Sequence, residues 1–157
     1  MNKSLYQLLR DKKGKLDEYE SLSHQILNSD IEELNSIFDL RQEIIIKIDA
    51  IDLMISAWLE DSLVKEEYLK CLDIKTSRND IQPGLLEIRD CFEEIYEALL
   101  TIQSLENTIH NQFNQYQKDL QESLTQVTNV SKIKKYFDTY ETEINDLSAL
   151  KFNSKKI

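Results

Sequence analysis

Residues 85–127 read LLEIRDCFEEIYEALLTIQSLENTIHNQFNQYQKDLQESLTQV, directly after Pro83 and Gly84, the only proline and one of two glycines. Apolar side chains stand at Leu85, Ile88, Phe92, Ile95, Leu99 and Ile102, then at Ile109, Phe113, Tyr116 and Leu120. Steps of three and four residues keep one seam of a helix turned toward neighbouring helices. The stretch is expected to form a single helix of roughly 60 Å at ~1.5 Å per residue. So long a seam demands partners of comparable length, and the rest of the chain should supply them.

Composition supports the same class. Three glycines and prolines among 157 residues are too few for the turns of a sheet protein. Charged residues make up 31% and hydrophobic ones 41%, which suits an elongated helical molecule with a thin core. The length corresponds to one sizeable core. A net charge of −10 and a pI near 4.7 argue against nucleic acid and against an anionic membrane surface as partners. The apolar run Leu5–Leu9 is cut by Arg10, Asp11, Lys12 and Lys13, so it is no export signal, and Ile44-Ile45-Ile46 is far too short to span a membrane. A cytoplasmic protein is expected. Cys71 and Cys91 lie on either side of the predicted turn, which would allow a disulfide; two free thiols in a reducing compartment are the expectation.

The fold expected is all-α: an elongated antiparallel helical hairpin plus a long third helix, a three-helix or coiled-coil-like bundle. Ser4 can cap a first helix over about 4–27, where Gly14 costs about 1 kcal/mol relative to alanine and predicts fraying or a bend among Lys12, Lys13 and Lys15. Asn28-Ser29-Asp30 is a turn, and a second helix follows over 31–59. Residues to 72 either extend it or form a separate short helix. Residues 74–84 compose a loop. The pattern breaks at Val127–Val130, and Ser131 then opens a short amphipathic segment with Lys132, Lys134 and Lys135 in its first turn. The chain thus divides into a helical bundle, 1–130, and a carboxyl-terminal segment with a tail, 131–157.

Two details of the second helix carry expectations. Arg41 and Asp52 fall inside its apolar band and are eleven residues apart, too far to pair along the helix. Arg41 is expected to pack its stem with its head in water, or to pair at the edge of the seam. Ile46 and Leu53 point away from the main face, and a second neighbour is expected to cover them; a docking surface is the alternative.

No residue is assigned to catalysis, to a cofactor or to a metal. His24 and His110 are the only histidines, with no cysteine or carboxylate placed to complete a site. The pairs Glu66-Glu67 and Glu93-Glu94 have helix-surface spacing, and no phosphate-cradling loop or nucleophile constellation exists. The chain is read as no enzyme. Candidate partner-binding residues are Phe113, Tyr116 and Leu120, in the amide-rich half of the long helix after Glu106, and Tyr136, Phe137, Tyr140 and Ile144 beyond it. The alternative is that these aromatics fold back onto the bundle.

Residues 26–52, ILNSDIEELNSIFDLRQEIIIKIDAID, between a first helix and a long third one, resemble the flagellar export chaperones of the FlgN type. That family places a small or acidic turn before L-x-x-L-x-x-x-(R/K)-x-x-L-I. The corresponding positions are the turn Asn28-Ser29-Asp30, then Leu34, Arg41, and Ile44 with Ile45. The family's tyrosine, spacer and F-D-x-K-K-like finish resemble Tyr140 and Phe152-Asn153-Ser154-Lys155-Lys156, with Asn153 in place of the acid. The related FliT type, with a similar hairpin, is usually shorter. The resemblance implies a cytoplasmic chaperone without enzymatic activity. It would bind helical carboxyl-terminal segments of hook-associated proteins and deliver them to the export gate. The other class consistent with the residues is a structural coiled-coil or scaffold protein that self-associates.

Overall fold

The computed structural model describes residues 3–147. Helices carry the fold: α1 (Leu5–Asn28), α2 (Ile31–Glu60), α3 (Lys65–Cys71) and α4 (Leu86–Leu147), with single 3-10 turns at Arg78–Asp80 and Pro83–Leu85. The chain is all-α, as its patterning predicts. None of the described helices is long and apolar enough to cross a membrane. Two compact units divide at His110/Asn111, inside α4.

In the first unit, α1 begins with a reciprocal cap. The Ser4 hydroxyl accepts from the Gln7 backbone N–H, and the Gln7 side chain accepts from the Ser4 N–H. Gly14 does not interrupt the helix, which is continuous from Leu5 to Asn28. Leu8, Leu9 and Leu16, all buried, anchor it on both sides of the glycine, and that packing outweighs about 1 kcal/mol of propensity. Ser29 and Asp30 form the turn, and Glu32 and Glu33 sit where the α2 dipole favours acid. Lys12 meets Asp52 and Tyr19 meets Arg41, so α1 and α2 run antiparallel as expected. Arg10 meets Glu94 and Tyr19 meets Glu106, so the first part of α4 runs parallel to α1.

The core lies among these three helices. Leu5, Leu8, Leu9 and Leu16 pack with Ile55 and Leu59 and with Cys91, Ile95, Ala98 and Ile102. Both cysteines are free thiols, and burial pushes each above its ordinary range. The segment after α2 is a separate helix, α3, and not an extension. On α2, Ile46 and Leu53 are 60% and 73% exposed, so no neighbour among the described residues covers this minor stripe as expected.

The loop 74–84 is held by a residue whose role its sequence did not disclose. Arg89, on the first turns of α4, is buried; its guanidinium donates to the carbonyls of Cys71, Asp73 (2.7 Å) and Thr76 (2.9 Å), and its Nε to Glu93 (2.9 Å). These carbonyls lie at and beyond the end of α3, where helical acceptors lack partners. Arg78 also pairs with Asp90 and holds that carboxyl below its usual range. A further difference concerns the expected break at Val127–Val130: α4 runs through it to Leu147. Val, Thr and Asn each cost under about 0.7 kcal/mol in a helix, and no glycine or proline interrupts the run.

Replacing Arg89 by Met should leave the Cys71 and Thr76 carbonyls without their guanidinium donor, while the Asp73 carbonyl keeps the Thr76 N–H and Glu93 keeps Arg78. We expect a loss of about 2–4 kcal/mol in urea denaturation. Amide exchange in 72–85 should accelerate before that of α1, and uniform acceleration would refute the local role.

Candidate helix-binding face

In each unit, α4 carries a seam of three-and-four spacing, and the second unit's is the candidate face. Ile88, Cys91, Ile95, Ala98, Ile102, Glu106 and Ile109 succeed one another at three- or four-residue steps, and so do Phe113, Tyr116, Leu120, Leu124 and Val127. Burial differs between the two seams while the spacing does not. Ile95, Ile102 and Ile109 are 3%, 9% and 4% exposed; Tyr116, Leu120, Leu124 and Val127 are 49%, 62%, 58% and 63% exposed. Scattered apolar residues on a surface are ordinary, but an ordered stripe on one helix face marks an interaction surface.

The covered seam contains one acid, Glu106, and it is answered by Arg41. The Arg41 guanidinium is buried, and one of its terminal nitrogens donates to both the Tyr19 hydroxyl and Glu106. The Tyr19 hydroxyl also donates to Glu106 at 3.2 Å. The guanidinium carbon sits 4.5 Å from the Tyr19 ring centre and 5.8 Å from that of Phe38, so two aromatic faces supply further attraction. Of the two fates expected for Arg41, pairing at the seam is the one observed. Asp52 pairs with Lys12 instead.

In the second unit, Phe113 packs edge-on against Tyr116, with ring centres 6.4 Å apart. The amides around the stripe serve their own helix. Gln112 donates to the Tyr116 hydroxyl at 3.0 Å and Gln115 to Asp119 at 2.8 Å; the Thr125 and Thr128 hydroxyls donate to carbonyls one turn back. Between Asn111 and Ser131 the only charges are Lys118, Asp119 and Glu122, whereas the acid excess of the chain lies wholly in residues 1–110. Residues 111–131 therefore offer an apolar, weakly charged surface on a helix.

Of the predicted partner-binding residues, Phe113, Tyr116 and Leu120 lie together on this stripe. Tyr136, Phe137, Tyr140 and Ile144 belong to α4 by backbone, and their side chains lie outside the described residues. Leu124 and Val127 extend the stripe, and Val130 and Ile133, 64% and 57% exposed, follow it; none of these is among the partner-binding candidates read from the sequence. Their spacing was the available signal, obscured by treating β-branched Val127 as a breaker. His24 is exposed beside Glu20, and among the described residues no group of three His, Cys, Asp or Glu side chains could hold a metal. No protein-family model, curated protein or solved structure matches the chain.

Glu106→Ala should leave the buried guanidinium of Arg41 without its anion and destabilise the first unit by about 1–3 kcal/mol in urea. The double variant Arg41→Met/Glu106→Leu should recover most of the loss. A double variant less stable than Glu106→Ala would show that the ion pair itself, and not its breaking, governs stability.

Proposed function

We propose that the chain is a non-enzymatic chaperone that holds an amphipathic helix of a client protein against α4, in the manner of flagellar export chaperones of the FlgN type. The observation that carries this reading is the exposed stripe Tyr116–Val127, which has the same three-and-four spacing as the seam covered by helices within the first unit. A client helix with apolar residues at i, i+3, i+4 and i+7 is the natural complement to such a stripe. Burying side chains such as Leu120, Leu124 and Val127 supplies ~1.5–3 kcal/mol each when complete. The resemblance names the clients: helical carboxyl-terminal segments of hook-associated proteins, bound in the cytoplasm and brought to the export gate. A structural scaffold that self-associates is the second reading, favoured by the same stripe and by the scarcity of like charges on it to oppose a second copy.

The test is the solution mass of the chain with and without peptides of hook-associated carboxyl-terminal helices. A one-to-one complex is expected. Leu120→Glu with Leu124→Glu should weaken it at least tenfold while leaving thermal unfolding of the first unit unchanged. A stable homo-oligomer indifferent to every such peptide, and dissolved by the same two substitutions, would replace the chaperone with the scaffold.

A further inference from the structure

Away from the α4 stripe, a groove runs between α1 and α2. It consists of two adjoining cavities of about 710 Å³ and 530 Å³ that share Lys3, Leu8 and Met54. The larger is lined also by Ala57, Trp58, Asp61 and Ser62, the smaller by Gly14, Lys15, Glu18, Lys47, Ala50 and Ile51 among others. None of the lining residues comes from α4. The floor is apolar, and Met54 is 52% exposed within it.

Charge gives the groove a direction. Lys3 pairs with Asp11 and Lys15 with Glu18, so these rim charges are satisfied. Lys47 at one end and Asp61 at the other have no side-chain partner among the described residues. They are fourteen residues apart on α2, about 21 Å at ~1.5 Å per residue. A docked helix is positive at its amino terminus and negative at its carboxyl terminus, and this pair of charges accepts it in one direction only.

Gly14 adds a second sign. A Cβ there would meet nothing within 4 Å, so no contact inside the chain calls for glycine, although glycine weakens a helix interior. The small residues Gly14, Ala50 and Ala57 leave room for another backbone to approach.

We infer that this groove is a second docking site, for one amphipathic helix of about fourteen residues running parallel to α1. Its amino-terminal end, preferably basic, lies over Asp61, and an acidic carboxyl-terminal end lies over Lys47. The site is independent of the α4 stripe and stands or falls separately from the proposed function.

Trp58, the only tryptophan, lines the larger cavity and reports occupancy directly. The probes are two synthetic fifteen-residue helices with one Leu/Ala face. One carries Lys at its amino-terminal end and Glu at its carboxyl-terminal end; the other has the charges exchanged. Titrated into the full chain, the first should shift Trp58 emission saturably and bind at least about fivefold more tightly than the second, a preference that added salt diminishes. Lys47→Glu with Asp61→Lys, both on exposed residues, should invert that preference. Met54→Glu should weaken both peptides at least tenfold, and Leu120→Glu should affect neither. Equal affinities, a preference untouched by the charge exchange, or an unchanged Trp58 signal would overturn the inference. Binding abolished by Leu120→Glu would place the peptides on α4 and overturn it as well.

Discussion

A guanidinium buried among three helices is the constraint on which the arrangement depends. Arg41 of α2 is out of water, and its charge is met by Glu106 of α4 and by the hydroxyl and ring of Tyr19 of α1. Sliding one helix by a turn, about 5.4 Å, would leave that charge buried without its partners. Leucines and isoleucines repeat along every seam and would tolerate such a slip far better. The ion pair therefore sets register more than it adds stability. Within the first unit, that register covers the α4 seam as far as Ile109.

Arg89 does comparable work at the other end of the first unit. One buried side chain accepts the duty of closing a helix end and ordering a loop that contains Pro83 and Gly84. The same bonds settle where α4 begins. Arg89 thus fixes the start of α4, and Arg41 the register of its first-unit part.

Much of this could be seen in the sequence because its devices are local. The Ser4 cap, the Asn28-Ser29-Asp30 turn and the three-and-four spacing of α4 each act within a few residues and are found where expected. Errors arose where propensity was weighed without packing. Gly14 suggests fraying or a bend, yet α1 is continuous, with buried leucines on either side of it; the Val127–Val130 pattern suggests an end to the helix, yet α4 continues, because β-branched residues only weaken a helix. Partnerships across helices were harder still. Arg41 reads as a base in an apolar band, but joining it to Glu106 needs the mutual register of α2 and α4, which the pattern of one helix does not specify. Arg89 serves carbonyls, which have no side-chain signature. The candidate face was partly legible: Phe113, Tyr116 and Leu120 were identified, while Leu124 and Val127 were passed over with the supposed break. The α1–α2 groove had no sequence signature, because it depends on which sides of two helices remain uncovered.

The proposal that the second-unit stripe Tyr116–Val127 receives a client helix requires that stripe to be open in the free chain, while the first unit closes its own α4 seam as far as Ile109. Hydrogen exchange along α4, with and without a hook-associated carboxyl-terminal helix, tests it most directly. Amides of 88–109 should be protected in both states, and those of 113–127 should exchange rapidly alone and slow at least tenfold with the client. Equal protection of both stretches in the free chain at low concentration, or client protection that falls outside 113–127, would contradict the account.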